Sequence, residues 1–252
     1  MIIDQYPFII LVYIFFAYLI AGTVKGSIGF GLPTVSISLL SFIIDVKEVI
    51  GLVLLPTLLI NIYQLSQGGF FTALIRQTKF FLIFSTLFVY PGVYLLKVFQ
   101  SEMVLISVAA VLILNSSLSL FNITYKLKSA TSPYTQSILG AMNGIVIGLT
   151  SIYTMPLVFL LQSFNFNKNQ TIQLLGIAFF LYPVAQFISF SNFDLINKEI
   201  FINSIIILIP IFIGVFIGQY IRKFISEALF RKFFYLMLLI MSCVIIFNLI
   251  QK

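Results

Sequence analysis

The chain is a succession of long apolar runs separated by short polar stretches, a pattern typical of helices that cross a membrane. A transmembrane helix needs about 20 mainly apolar residues, with a range of about 17–25. Windows of that kind predict ten segments, at residues 7–24, 28–44, 48–66, 79–97, 102–122, 134–152, 153–165, 170–190, 199–220 and 229–250. Because the stretches between them are too short for a soluble domain, we predict an all-α polytopic membrane protein with a single transmembrane domain over residues 1–252.

The composition excludes most other classes of protein. Hydrophobic residues make up 61% of the chain and charged residues 8%, whereas soluble domains are about 45–50% apolar and about 25% charged. With no histidine, 7 acidic residues and one cysteine, Cys243, the chain offers little for a metal centre or an acid–base site. We therefore expect no metal, no cofactor and no enzymatic activity. The 14 basic residues are spread between the apolar runs, which argues against nucleic acid and for contact with the lipid bilayer.

The distribution of basic residues predicts which side each loop faces, since cytoplasmic loops carry an excess of lysine and arginine. If all ten segments cross, one side receives nine basic residues and the other receives four, leaving out Lys25, which lies at the break between two segments. If 28–44 and 153–165 dip in and return, the basic residues divide almost evenly. The bias thus favours ten crossings, with both termini on the less basic, non-cytoplasmic side. The nine are Arg76, Lys79, Lys126, Lys128, Lys168, Arg222, Lys223, Arg231 and Lys232; the four are Lys47, Lys97, Lys198 and Lys252.

An internal duplication is indicated by glycines that recur at a fixed distance. Gly22 and Gly26 recur as Gly144 and Gly148, an offset of 122 residues, and the same offset takes Gly92 onto Gly214. We predict two repeats, about 7–122 and 134–250, of about five segments each. Because five is an odd number, the repeats must be inverted in the membrane. Inverted repeats are a common build of secondary transporters, whose substrate site lies near the midplane where the halves meet.

The most informative stretch is residues 21–33, AGTVKGSIGFGLP, in which glycines, a lysine and a proline interrupt an apolar run. Irregular backbone at membrane depth is tolerated only where protein covers it or water fills a cavity. The stretch resembles the glycine-rich broken helix, followed by a proline, near the start of each half in the sulfite exporter TauE/SafE (TSUP) family. The resemblance covers the whole chain, including a degenerate second copy from Gly140 to Pro156. It implies export or uptake of small anions, many of them sulfur-containing, across the bacterial inner membrane.

The residues of this stretch also describe an anion site on physical grounds. A lysine at the bilayer centre costs about 2.5–3.5 kcal/mol on insertion scales, so Lys25 is expected to face a partner or a watery cavity. Glycines let backbone N–H groups approach a ligand, and a helix that restarts after the break directs a partial positive charge at it. The alternative is that Lys25 snorkels to the cytoplasmic interface. The predicted substrate-binding residues here are Lys25, Gly26, Ser27, Gly29, Phe30 and Gly31.

Further polar residues inside apolar segments are candidates for the same cavity. Asn61 and Gln64 are three residues apart and share a helix face; Asn143, Thr150 and Ser151 belong to the second copy of the motif. The alternative for each is an interhelical hydrogen bond, worth about 0.6 kcal/mol on average. Structural roles in close helix packing or in the breaks are predicted for Gly22, Pro33, Gly144, Gly148 and Pro156, and Gly214-x-x-x-Gly218 is interpreted as a packing motif.

Together these features favour a secondary transporter of a small organic or sulfur-containing anion, such as sulfite or a sulfonate. No nucleotide-binding loop is present, so we expect no direct coupling to ATP. An inside-negative potential can drive an anion outwards without a titrating group, at about 2.3 kcal/mol per charge per 100 mV. The alternatives are an anion channel and, from another class, a membrane enzyme or assembly subunit. The pattern leaves the anion, the direction of transport and the oligomeric state unspecified.

Overall fold

The fold is described from a computed structural model, for residues 6–66, 69–123, 126–127, 129–164, 166–224 and 226–250. Two of the basic residues counted above, Lys128 and Lys252, lie outside the described residues. The described part of the chain forms eleven α-helices and no β-strand. The helices are α1 (Phe8–Ile28), α2 (Leu32–Leu40), α3 (Val46–Leu65), α4 (Phe71–Val98), α5 (Ser101–Leu120), α6 (Pro133–Thr150), α7 (Leu157–Ser163), α8 (Lys168–Asn192), α9 (Lys198–Ile206), α10 (Leu208–Ile221) and α11 (Glu227–Ile250).

Six helical stretches of the described chain are long and apolar enough to cross a membrane, which confirms the prediction of an all-α, multi-pass membrane protein. One of the six combines α9 and α10, which are separated only by Ile207. Pro210 has no backbone N–H for the carbonyl of Ile206, four residues earlier, and this accounts for the interruption. The six stretches are Phe8–Ile28, Phe71–Val98, Ser101–Leu120, Asn169–Asn192, Lys198–Ile221 and Arg231–Ile250.

The two short predicted segments, 28–44 and 153–165, do not form membrane-spanning helices. Their helices, α2 and α7, have 9 and 7 residues, so at 1.5 Å per residue they extend about 14 Å and about 11 Å. A hydrocarbon core is about 30 Å thick. The expectation of ten helical crossings is therefore wrong at these two segments. The helices at the predicted segments 48–66 and 134–152, α3 and α6, are not among the six stretches either, so the assignment of sides that depended on ten crossings no longer follows.

The chain divides into two compact units, each of which combines stretches from both predicted repeats. Unit 1 consists of Met1–Pro56, Ser101–Phe121 and Asp194–Lys252, and unit 2 of Thr57–Gln100 and Asn122–Phe193. Both units are therefore discontinuous in sequence. The division into two inverted repeats stays a prediction.

Unit 1 is built on a close, parallel contact between α1 and α10. A Cβ atom on Gly22 would collide with the carbonyl oxygen of Ile211, and one on Gly26 would collide with that of Val215. In the other direction, a Cβ atom on Gly214 would collide with the carbonyl oxygen of Leu19. Small residues thus let the two backbones touch. Gly22 and the glycine pair of α10, for which a packing role was predicted, lie at this contact.

Unit 2 contains the same kind of contact between α6 and α4. Added Cβ atoms on Gly144 and Gly148 would collide with the carbonyl oxygens of Ser85 and Val89. On α4, a Cβ atom on Gly92 would come 2.5 Å from the carbonyl oxygen of Ile145. Gly144 and Gly148, for which packing roles were predicted, lie at this contact. Helix α8 also packs along α4, which places the polar residues of α8 inside this unit.

Candidate functional site

The break in the first half lies between α1 and α2, at residues 29–31, rather than over the whole glycine-rich stretch. Gly29 and Gly31 have φ angles of +84° and +98°, in the region that glycine adopts without steric cost. The N–H of Gly29 donates to the carbonyl of Lys25 at 2.9 Å, which closes the last turn of α1. Gly22, Lys25, Gly26 and Ser27 consequently lie inside α1. Only Gly29, Phe30 and Gly31 form the break itself.

Lys25 is buried in the last turn of α1. Its side chain is 5% exposed, and its Nζ atom donates to the carbonyl oxygen of Gly29 at 2.7 Å. A cation at a helix C-terminus is favourable because the last carbonyl groups carry a partial negative charge. The ammonium group therefore folds back onto the break. The snorkelling alternative required it to extend to an exposed surface, which it does not do.

Gly26 and Ser27 are engaged in the contact between α1 and α10. Gly26 faces the backbone of Val215, and its N–H lies in the interior of α1, where such groups bond within the helix. The Ser27 hydroxyl lies 2.8 Å from the carbonyl oxygen of Thr23 and 3.1 Å from that of Gly218. Since a hydroxyl has one proton, these two carbonyls occupy its donor capacity.

The start of α2 offers backbone donors next to the break. Gly31 is the N-cap and Pro33 lies in the first turn, as expected of a proline that begins a helix. Among the described residues, no side chain caps this terminus, so its first N–H groups point towards the break without a side-chain acceptor from that part of the chain. Such a terminus carries a partial positive charge and is suited to an anion.

Two residues near this break were not predicted from the sequence, Arg231 and Phe234 of α11. The Phe30 ring packs edge-to-face on Phe234, with 5.7 Å between centroids, and the Arg231 guanidinium carbon lies 5.8 Å from the centre of the Phe30 ring. Phe234 also confines Gly31, because a Cβ atom there would come 3.1 Å from its ring. The i, i+3 spacing of Arg231 and Phe234 places them on one helix face, which was the available signal.

The break in the second half, between α6 and α7, contains no glycine. It begins at Ser151, whose φ is +54°, and reaches Pro156, the N-cap of α7, through a cis peptide bond from Met155. Asn143, which is fully buried, holds this segment from α6. Its Oδ1 accepts from the N–H of Leu157, the first residue of α7, at 3.1 Å, and its Nδ2 donates to the Tyr182 hydroxyl at 3.1 Å.

A buried hydrogen-bond network centred on Gln186 of α8 stabilises the same break. The Gln186 Nε2 atom donates to Ser151 Oγ at 2.7 Å and to the Ile147 carbonyl at 3.0 Å, and its Oε1 atom accepts from the Tyr153 hydroxyl at 2.7 Å. The Thr150 hydroxyl donates within α6, to the carbonyl of Val146 at 2.7 Å. Thr150 therefore uses its proton in its own helix, whereas Ser151 takes part in the network as an acceptor.

Asn61 and Gln64 connect α3 to α8, as the interhelical alternative described. Asn61 Nδ2 donates to the Phe179 carbonyl at 2.9 Å, and Gln64 Nε2 donates to the Ile172 carbonyl at 3.4 Å. A proline explains why the Phe179 carbonyl needs a donor from outside its own helix. Pro183 has no N–H with which to bond the carbonyl four residues earlier, which is that of Phe179.

The predicted site residues fall into two groups, one in each compact unit. Among the residues that the structure describes, no cluster of histidine, cysteine, aspartate and glutamate could hold a metal ion. Unit 1 contains Lys25, Gly26, Ser27, Gly29, Phe30, Gly31 and Pro33; unit 2 contains Asn61, Gln64, Asn143, Thr150, Ser151 and Pro156. The polar network of unit 2 adds Tyr153, Tyr182 and Gln186, of which the last two lie four residues apart on α8 and share a face.

The searches against curated proteins and against solved structures found no match. A family model described as "Sulfite exporter TauE/SafE" matches residues 14–245, a range that includes both breaks and both glycine-mediated helix contacts. The protein therefore belongs to the sulfite exporter TauE/SafE family, whose members are membrane transporters and not enzymes.

Proposed function

We propose that the protein is a secondary transporter that moves a small organic or sulfur-containing anion, such as sulfite or a sulfonate, across the bacterial inner membrane. The observation that carries the proposal is the buried ammonium group of Lys25 beside the break that precedes α2. In this proposal the anion binds at the break between α1 and α2, with Lys25 as the fixed positive charge. Phe30, Gly31 and the first N–H groups of α2 form the rest of the site.

Electrostatics supports an anion at this break. Burying an ammonium group removes it from water, and a negative charge nearby compensates for that loss. The uncapped start of α2 adds a partial positive charge. Arg231, over the ring of Phe30, supplies a further positive charge near the same residues.

The order of the helices supports an internal duplication and, with it, alternating access. Shifted by 122 residues, α1 overlaps α6, α2 overlaps α7 and α3 overlaps α8. The same shift brings α4 onto the α9–α10 pair and α5 onto α11. The α1–α10 contact of unit 1 thus has its counterpart in the α6–α4 contact of unit 2. Two copies that exchange equivalent conformations are a general basis for alternating access in secondary transporters.

The positions of the acidic residues favour transport driven by the membrane potential. Acidic residues that could relay protons through a membrane are expected inside its spans. Here, Asp45 and Asp194 lie between helices, and Glu48, Glu102 and Glu199 lie in first turns. An inside-negative potential supplies about 2.3 kcal/mol per charge per 100 mV for the outward movement of an anion. Export by uniport therefore requires no proton relay.

The test is transport of labelled sulfite in proteoliposomes, with the variant Lys25→Met. Methionine keeps an apolar stem of similar length and removes the charge, so we expect the initial rate to fall more than about tenfold at normal protein abundance, equivalent to about 1.4 kcal/mol. Lys97→Met is the matched control, because Lys97 also lies in the last turn of a membrane-spanning helix but is exposed. Unchanged transport by Lys25→Met would refute the site. Flux without counterflow in the wild-type protein would indicate a channel.

A further inference from the structure

All seven acidic residues of the chain belong to unit 1, so the charged side chains of unit 2 are all basic. The two stretches of unit 2 contain six basic residues and no aspartate or glutamate. No acidic side chain of the same unit can therefore neutralise them. At a membrane surface, anionic lipid headgroups attract such cations. The six are Arg76, Lys79, Lys97, Lys126, Lys128 and Lys168.

Most of this positive charge belongs to the end of unit 2 at which three helices begin. Helices α4 and α6 run in the same direction, because successive glycines of α6 meet successive residues of α4 in the same order. Helix α8 follows them, since Gln173 contacts Phe70 and Tyr182 contacts Ser85. The three N-termini, each with a partial positive charge, thus lie at one end. Arg76 and Lys79 lie in the first three turns of α4, Lys126 precedes α6, and Lys168 begins α8.

A cavity at this end lies against the first turn of α4. Its volume is about 650 Å³, and its walls include Phe71, Thr72 and Ala73, the first three residues of the helix. The first N–H of α4 with a backbone acceptor is that of Leu74, which donates to the Phe70 carbonyl. Within the described part of the chain, the three preceding N–H groups have no acceptor. Such groups at the start of a long helix are suited to an anion.

A buried amide group of α8 faces the same cavity and indicates a ligand independently. Gln173 is 3% exposed and lines the cavity. Its Oε1 accepts from the N–H of Phe70 at 2.6 Å, which fixes the side chain, whereas its Nε2 has no acceptor among the residues described. Leaving such a donor without an acceptor is costly. Ser66 and Thr72 add hydroxyl groups to the wall. Arg76, which is exposed one turn after Thr72 on the same face, inclines towards the helix N-terminus.

We propose that this cavity binds the phosphate group of an anionic membrane lipid. The depth of the cavity selects a lipid phosphate. At 1.5 Å per residue, the 28 residues of α4 extend about 42 Å, close to the roughly 40–45 Å of a bilayer with its headgroup layers. The first turn of α4 therefore lies among the headgroups. Phosphate oxygens accept from N–H groups and pair with arginine, and the rings of Phe70 and Phe71 in the wall can pack on the glycerol part of the lipid.

The first experiment compares phosphatidylglycerol with phosphatidylcholine, which has the same phosphate but also a positively charged choline. Lipid retained from mixed nanodiscs is counted by native mass spectrometry, and we expect phosphatidylglycerol to be preferred. Arg76→Gln should lower its retention about fivefold, as the loss of one cation near an anionic surface predicts. Lys97→Gln, which removes an exposed cation at the opposite end of α4, is the matched control and should have little effect. Equal retention of the two lipids, or equal effects of the two variants, would overturn the proposal.

A second experiment tests the cavity itself with Gln173→Glu. This substitution keeps an oxygen for the Phe70 N–H but replaces the amide donor with a negative charge. Retention of phosphatidylglycerol should fall at least about tenfold, as the loss of a hydrogen bond to a charged group predicts. Gln170→Glu is the control. It adds the same charge near the start of α8 and keeps the oxygen that accepts from the Asn167 N–H, but Gln170 is not among the described residues that line the cavity.

An equal loss of retention in Gln173→Glu and Gln170→Glu would overturn the proposal, because it would show that added charge anywhere at this end is sufficient. Millimolar inorganic phosphate separates a lipid from a soluble ligand. We expect it to leave the retained phosphatidylglycerol in place. Displacement of the lipid would assign the cavity to a soluble phosphate and overturn the proposal of a lipid.

Discussion

The side-chain amide of Asn61 bonds the carbonyl oxygen of Phe179 at 2.9 Å, at the point where α8 lacks a backbone donor. That donor is missing because the residue four positions later is Pro183. A polar residue of α3 thus compensates for a proline of α8. Both residues are buried in unit 2, where an unsatisfied carbonyl would be costly.

A double-mutant cycle tests this compensation. Asn61→Leu should lower the free energy of unfolding by about 1 kcal/mol, within the range of interhelical hydrogen bonds in membranes. In the Pro183→Ala background the same substitution should cost less, because the alanine introduced there supplies a backbone N–H to the Phe179 carbonyl. The measurement is unfolding in mixed detergent micelles. Strictly additive effects would contradict the coupling between the two positions.

The glycine contacts between helices predict a steep cost for even one methyl group. Gly22→Ala and Gly144→Ala place a Cβ atom against a backbone carbonyl of the neighbouring helix, and backbone cannot move aside as a side chain can. We expect each to lower the free energy of unfolding by about 1–3 kcal/mol, the range for overpacked cores. Ile213→Ala, on the lipid-exposed side of α10, is the control and should change it by less than about 0.5 kcal/mol. Equal effects at Gly22 and Ile213 would exclude the contact as the cause.

Arg231 is predicted to contribute to substrate affinity through its charge above Phe30. Arg231→Gln should raise the KM for the transported anion about threefold to tenfold, which corresponds to about 0.6–1.4 kcal/mol, and should change the maximal rate less. Lys232→Gln is the matched control, since Lys232 is the neighbouring cation on the same helix and is exposed, as Arg231 is. The measurement is the concentration dependence of uptake in proteoliposomes. A similar rise in KM for both variants would show that the effect comes from general surface charge and not from the position of Arg231.

Ser151 separates a role in transport from a role in stability. Ser151→Gly removes the strain of a positive φ, worth about 1 kcal/mol, and also removes the oxygen that accepts from Gln186. We expect these effects to offset one another, so that the unfolding free energy changes little. The proposed anion site does not include this hydroxyl, so transport should also change little.

The control for that prediction is Asn122→Gly, which relieves a positive φ of +52° at an exposed turn. It should stabilise the protein slightly and leave transport unchanged. A several-fold loss of transport by Ser151→Gly, at unchanged stability, would contradict a site confined to the break between α1 and α2.

Several features followed from the sequence because they depend on local composition. Long apolar runs have to leave water, so six membrane-spanning stretches were predictable without knowledge of their partners. Glycines spaced four apart indicated close helix contacts, and the stretch around Lys25 indicated the family. The residues at which the break begins and ends were harder to predict from the sequence. Lys25, Gly26 and Ser27 continue α1 because the positive φ angles begin only at Gly29.

The sequence by itself therefore determined the membrane environment, the helical class and the family, since each follows from the chemistry of contiguous residues. Only the tertiary structure decided which distant groups meet: Arg231 with Phe30, Gln186 with Ser151, and Asn61 with the Phe179 carbonyl. It also showed that two segments predicted to cross the membrane contain only the short helices α2 and α7, because the length of a helix depends on where the backbone turns. The hydropathy of a run of residues reflects its affinity for lipid. What a buried polar residue does depends instead on its hydrogen-bond partners, which come from remote segments of the chain.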